Sequence, residues 1–223
     1  MGTLFIIATP IGNLEDLTFR ALRTLKEASF VLCEDTRVTK KLLNHYGVTT
    51  PVLSYHQHSS QKTSEHVFEL LSQGKNLALV TDAGTPGISD PGNELIDYLL
   101  ERKPSLNIVP IPGASAVPTI ASVAGFLMDK FLFLGYPPHK KGRKKFFEEV
   151  AQASHPVIFY ESPYRVIKSL TELRLLMPQA NVVVGRELTK KFETTYRGAI
   201  DQVLEMVQKD KVKGEFVVIV SKP

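Results

Sequence analysis

With a single cysteine, Cys33, the 223-residue chain can form no internal disulfide and no thiolate-based metal cluster. It has no apolar run near the ~20 residues that a membrane-spanning helix needs. Met1 leads at once into a short strand-like run, Leu4 to Ala8, with no basic segment ahead of it, which argues against a secretion signal. A soluble, cytoplasmic chain with no membrane partner is expected. Several familiar signatures are missing as well. No G-x-G-x-x-G follows the first strand pattern, which speaks against a dinucleotide fold, and no G-x-x-x-x-G-K-[ST] is present to hold a nucleoside triphosphate. Ser89 and Ser162 lack the G-x-S-x-G surroundings of a hydrolase nucleophile. For His45, His56 and His58 the local sequence supplies no carboxylate to complete a metal site, so no metal is expected.

What is present fits a globular enzyme. Hydrophobic residues make up 43% and charged residues 22%, enough apolar material to bury a core. The net charge of +4 mildly favours an anionic partner without identifying one. The charge is concentrated locally: His139, Lys140, Lys141, Arg143, Lys144 and Lys145 crowd one loop and helix start. A solvated loop is the plainer reading of that run from charge alone, and contact with RNA phosphates is the sharper one.

Short β-branched or aromatic runs alternate with helical patterns, the signature of an α/β fold. Strands are expected at Leu4–Ala8, Phe30–Glu34, Val52–His56, Leu77–Asp82 and Asn107–Ile111, then at Phe131–Tyr136, Val157–Glu161, Val182–Glu187 and Phe216–Ser221. Leu14, Leu17, Ala21, Leu22, Leu25 and Ala28 share one helical face behind an Asn13 cap. Val166, Ile167, Leu170, Leu173 and Met177 form another, and Ile200, Val203, Leu204 and Val207 a late one. Prolines and Gly113 interrupt the pattern around Pro110–Pro118 and predict two α/β subdomains, 1–113 and 114–223.

Three loops at strand ends could carry chemistry. DAGTPGISDPG, Asp82 to Gly92, lies between a strand and a helix at Glu94 to Glu101, and its glycines and prolines let backbone approach a ligand in a fixed shape. A carboxylate at Asp82, on the carboxyl end of a strand, could accept from ribose hydroxyls or an ammonium group. PIPGASAVP places Ser115 near a helix start, where backbone N–H groups favour an anion, although simple capping is the plainer reading. ATPIGN, Ala8 to Asn13, is the third, and together they suggest one composite cleft. CEDTR adds Glu34, Asp35 and Arg37, and GRELTKK adds Arg186, Glu187, Lys190 and Lys191, again at strand ends. Such charges either act on a substrate or simply pair with one another.

TPIGNLEDLTFRAL, CEDTR with a following KKLL, DAGTPGISDPG, PGASA, FYESPYR and GRELTKKFE run in this order from end to end. Together they resemble the bacterial small-subunit rRNA 2′-O-ribose methyltransferases of the tetrapyrrole methylase (class III) superfamily. The resemblance implies two α/β subdomains with S-adenosylmethionine between them, usually in a homodimer. It implies cofactor contacts at Pro10, Asp82, Gly84, Thr85, Ser115, Ala116, Tyr160, Glu161, Gly214 and Glu215. Three departures stand out: Tyr164 where the family usually has His, Ser59 where Asn is common, and an end at Pro223 where relatives usually continue into a small helical domain.

The implied reaction is attack of a cytidine ribose 2′-oxygen, in the decoding region of small-subunit rRNA, on the methyl of S-adenosylmethionine. Its catalysis would rest chiefly on holding nucleophile and methyl in line at ~3–3.5 Å. Glu187 or Lys190 is assigned a base-like or orienting role, Arg37 and Arg186 the positioning of phosphate or carboxylate, with Glu34 and Asp35 beside them. Lys140, Lys141, Arg143, Lys144 and Lys145 are expected to touch substrate phosphates. The alternatives are a methylase of the same superfamily acting on a corrin precursor or other small molecule, and a cofactor-binding sensor module without turnover.

Overall fold

The computed structural model describes residues 1–56 and 61–223, and it divides into two compact units, Met1–Ser115 and Ala116–Pro223. The expectations for His58 and Ser59 lie outside the described residues.

The first unit is built on a five-stranded parallel sheet of order β3-β2-β4-β1-β5. Its strands are β1 (Leu4–Ile7), β2 (Phe30–Cys33), β3 (Val52–Ser54), β4 (Leu77–Leu79) and β5 (Ile108–Ile111). The helices are α1 (Phe19–Glu27), α2 (Thr36–His45), α3 (Gln61–Ser72) and α4 (Asn93–Arg102). Strand side chains alternate faces, and both faces are covered, as a parallel sheet requires. Leu4, Leu32, Leu77 and Leu79 pack with Val67, Leu71, Leu95 and Leu99 of α3 and α4. Ile7, Val31, Cys33, Ala78 and Val80 pack with Ala21, Leu25 and Leu43 of α1 and α2 on the other side.

The long helix expected behind Asn13 is divided. Asn13 caps a single 3-10 turn, Leu14–Asp16, and Thr18 then accepts from the Ala21 amide to start α1. The residues spaced on one face continue across the break, so periodicity alone did not reveal it. A second residue able to cap, Thr18, was the available signal.

The second unit carries a mixed sheet of order β6-β7-β10-β8-β9, in which only β6 and β7 run parallel. Its strands are β6 (Leu132–Phe133), β7 (Val157–Glu161), β8 (Asn181–Arg186), β9 (Thr194–Ala199) and β10 (Phe216–Ser221). Its helices are α5 (Ala116–Ser122), α6 (Arg143–Gln152), α7 (Val166–Leu176) and α8 (Ile200–Lys209). Phe159, Val182, Val184, Val218 and Val220 form one core with Phe147 of α6, Leu170 and Leu173 of α7 and Val203 and Val207 of α8. β9 has no counterpart among the expected strands. It is an edge strand whose TTYRGA sequence buries only Tyr196 fully, too little apolar alternation to read without its partner β8. No helix among the described residues is long and apolar enough to cross a membrane.

Candidate active site

In the first unit the chemistry-bearing loops meet at the carboxyl ends of adjacent strands. After β2 the chain turns toward β3, and after β4 it crosses β1 to reach β5, so the connections leave these two neighbours in opposite directions. Such a divergence opens the crevice where open α/β sheets bind ligands. There the Asp35 amide donates to Asp82 Oδ1 at 3.2 Å, tying the two strand ends together. Glu34 and Asp82 remain exposed beside it. Asp90 belongs to the same acidic set. Partial desolvation in its loop, then the like charge of Glu34, push its carboxyl up to about 6, with Asp82 adding and a Thr81 hydrogen bond opposing. Asp90 is a site residue that sequence reasoning missed, although it stands in the same DAGTPGISDPG loop as Asp82.

The three loops also hold one another. Thr9 and Gly84 exchange backbone hydrogen bonds at 2.9 and 3.1 Å, which places Pro10 beside Gly84. The Thr85 hydroxyl donates to the Ala114 carbonyl at 3.2 Å, just before Ser115 and the start of α5 at Ala116. Gly84 has a φ of 87°, a left-handed conformation that glycine adopts without the usual steric cost. Ser89 adopts φ 60° without being glycine, so the loop is held by its surroundings rather than by preference.

Asp35 and Arg37 form a local pair. The guanidinium forks onto the Asp35 carboxylate at 2.6–3.2 Å, and the same carboxylate caps α2 through the Arg37 amide. The Arg37 hydrogen bonds hold the Asp35 carboxyl down at about 2.

In the second unit the GRELTKK turn folds back on the turn before β10. Lys190 Nζ lies 2.9 Å from both Glu187 Oε1 and Glu215 Oε2, and the Glu215 amide donates to Glu187 at 2.9 Å. Glu187 and Thr189 have φ of 50° and 67°, uncommon for residues with side chains. Gly214, at φ 92°, has room only for hydrogen where it faces Glu187, since a Cβ there would lie 2.4 Å from Glu187 Cδ. Burial alone would raise the Glu187 carboxyl, but Lys190 and the Glu215 amide outweigh it and hold it below its ordinary value. Burial likewise pulls the Lys190 ammonium down, and the two carboxylates more than reverse this.

Residues 3–204 match the family of tetrapyrrole (corrin/porphyrin) methylases. The chain belongs to that family. It is 44% identical over 98% of its length to the ribosomal RNA small subunit methyltransferase I of Halalkalibacterium halodurans, covering 75% of that protein. Its identity to the protein of the same name from Thermotoga maritima is 38%, over 99% of both chains. Diphthine synthase shares the fold at a TM-score of 0.76 and 14% identity, over 99% of this chain and 90% of that one. A cobalt precorrin-4 methyltransferase does so at 0.71 and 17%, over 98% and 94%.

Several side chains given site roles from the sequence are engaged within the fold. Lys190 is held as an ammonium by two carboxylates, which opposes the lowered pKa that a lysine base requires. Arg186 is buried and spoken for: Nη1 pairs with Asp210 Oδ2 at 2.8 Å and Nε donates to the Lys213 carbonyl at 3.0 Å. These contacts tie the end of β8 to the turn before β10. Arg143 is also buried, donating to Glu172 at 2.9 Å and to Ser169 at 2.8 Å and lying 3.7 Å from Glu161. It leaves the group of phosphate contacts, while Lys140, Lys141, Lys144 and Lys145 stay exposed. Glu161 is 1% exposed, and its carboxylate takes hydrogen bonds from Ser169 at 2.5 Å and Arg165 at 3.0 Å. Any cofactor contact at Glu161 is thus left to its backbone, next to the half-buried ring of Tyr160.

The residues of the first unit fit S-adenosylmethionine. A sulfonium and an ammonium are matched by the carboxylates of Glu34 and Asp82 after their strands and of Asp90 in the loop before α4. Backbone at the Thr9–Gly84 and Thr85–Ala114 contacts is fixed by hydrogen bonds beside them. A cavity of about 160 Å³ lies between Tyr55 and the Asp90–Glu94 segment.

Proposed function

We propose that the chain methylates the 2′-hydroxyl of a cytidine ribose in the decoding region of small-subunit rRNA, with S-adenosylmethionine as donor. The observation that carries this reading is the 44% identity, over 98% of the chain, to a protein named for small-subunit rRNA methylation. S-adenosylmethionine supplies a methyl carbon on a positively charged sulfur, a group already activated for transfer. The protein's part is to bind and orient. Asp82 and the Thr9–Gly84 backbone pairing orient the ribose and ammonium groups of the donor, and Pro10, Thr85, Ser115 and Ala116 shape its walls. Tyr160 and the Gly214–Glu215 turn offer further donor contacts. The Glu187–Lys190–Glu215 cluster, anchored by Arg186, orients the substrate rather than taking its proton, and Arg37, with Glu34 and Asp35, sets charge near the sulfonium. Rate then comes mainly from holding the two reacting atoms in line.

In this reading the enzyme works in the cytoplasm as a homodimer, as the resemblance implies. The highly exposed apolar side chains Phe19 and Leu127 are of the kind that a subunit interface covers. The deciding assay is transfer of tritiated methyl from S-adenosylmethionine to small ribosomal subunits lacking the modification, with corrin precursors as the second acceptor. Labelling of the subunits alone supports the proposal, and labelling of a corrin precursor alone overturns it.

A further inference from the structure

One surface of the second unit reaches beyond the donor contact proposed at Tyr160. It lies at the carboxyl end of the parallel pair β6 and β7. Tyr136 follows β6 and packs its ring 5.3 Å from that of Tyr160 near the end of β7, with Phe133 against Tyr160 at 5.0 Å. Tyr136 is 53% exposed, and Tyr164, in the turn after β7, is 95% exposed. Directly beyond Tyr136 come Lys140, Lys141, Lys144 and Lys145, all exposed. The segment is fastened from within. Arg143 donates to the Pro138 carbonyl at 3.4 Å and lies against Glu161 and Glu172. Tyr136 and the ammonium groups are therefore carried on one stretch anchored to β7 at both ends, by Tyr136 on Tyr160 and by Arg143 on Glu161, while Tyr164 follows β7 itself.

A solvated lysine loop has no need of large exposed rings beside it, and an apolar protein partner would have to strip water from the lysines. Unpaired RNA matches both features, because its bases stack on aromatic rings while its phosphates meet lysines. We infer that this surface grips an unpaired segment of the substrate RNA, with the four lysines on backbone phosphates and Tyr136 and Tyr164 against bases. The inference rests on the proposed function in taking RNA as the partner. It assigns to Arg143 the task of positioning the grip, not of touching the RNA.

The test measures binding of unmodified small ribosomal subunits, and of a short single-stranded RNA spanning the target, over a range of salt. With the four lysines changed to Ala, binding weakens by about tenfold or more, and the slope of log affinity against log salt falls by ~0.7 for each phosphate no longer neutralised. Tyr136→Ala with Tyr164→Ala weakens binding by about tenfold at an unchanged slope, and the Phe versions bind as the parent does, since stacking needs only the ring. Circular dichroism shows each variant to be folded, and calorimetric affinity for S-adenosylmethionine in the lysine variant is that of the parent. An unchanged salt slope in the lysine variant, or tyrosine variants that bind within about twofold of the parent, overturns the inference. Binding is read apart from turnover. A parent that grips RNA through this surface yet transfers no methyl refutes the proposed reaction and leaves the grip standing.

Discussion

At the scale of single residues, Asp90 in the first unit and Lys190 in the second make different predictions. Asp90 binds its proton more tightly in the folded chain than in the unfolded one. Its contribution to stability is therefore complete below the unfolded value of ~3.9 and is lost as pH rises through about 6. Asp90→Asn should flatten the melting temperature over that window and melt higher than the parent at neutral pH, as scanning calorimetry would show. The same ionisation adds a negative charge beside Glu34 and Asp82, so affinity for the cationic cofactor should rise through the same window and lose this rise in the variant. Lys190 makes the opposite kind of prediction. Because its carboxylate neighbours keep it charged, Lys190→Ala should slow single-turnover transfer by less than the ~10²–10⁴-fold typical of a lost general base. A loss in that range, with a rate that climbs near the lysine's own ionisation in the parent, would restore the base. Gly214→Ala combines a strained φ with a clash on Glu187 and should cost about 1 kcal/mol or more in urea unfolding.

Among the elements, α6 shows how one run of like charges divides by burial. Its first residue, Arg143, enters the core, where it meets Glu161, Glu172 and Ser169, while Lys144 and Lys145 face water. Arg143→Ala strands part of a buried charge cluster and should cost about 3 kcal/mol. Lys144→Ala should stay within about 0.5 kcal/mol. Chemical denaturation of the pair checks both, and equal costs would mean that Arg143 is not the anchor. The basic spacing was plain in the sequence, but which cation turned inward was not, because its acidic partners sit on β7 and α7. The same limit hid β9, whose pairing with β8 supplies the order that its own residues do not advertise.

On the scale of the whole chain, cofactor binding should register as added stability. S-adenosylmethionine at ~100 times its dissociation constant should stabilise the folded protein by ~2.7 kcal/mol, and a thermal shift that is absent at every concentration would remove the cofactor from the proposal. Local chemistry written in short windows was legible from the start. Alternating apolar runs marked nine strands that the structure contains, and the glycine and proline loops after β1, β4 and β5 were readable because backbone shape is set by neighbouring residues. The order of six motifs identified the family. What the sequence did not hold was any fact about partners distant along the chain. Tertiary structure alone brought Gly84 onto Thr9, set Glu34 and Asp82 near Asp90, closed Lys190 between Glu187 and Glu215, and turned Arg186 and Arg143 into internal ion pairs. The reason is physical: a side chain's charge state and availability depend on its surroundings after folding, and those surroundings come from strands and turns far away in sequence.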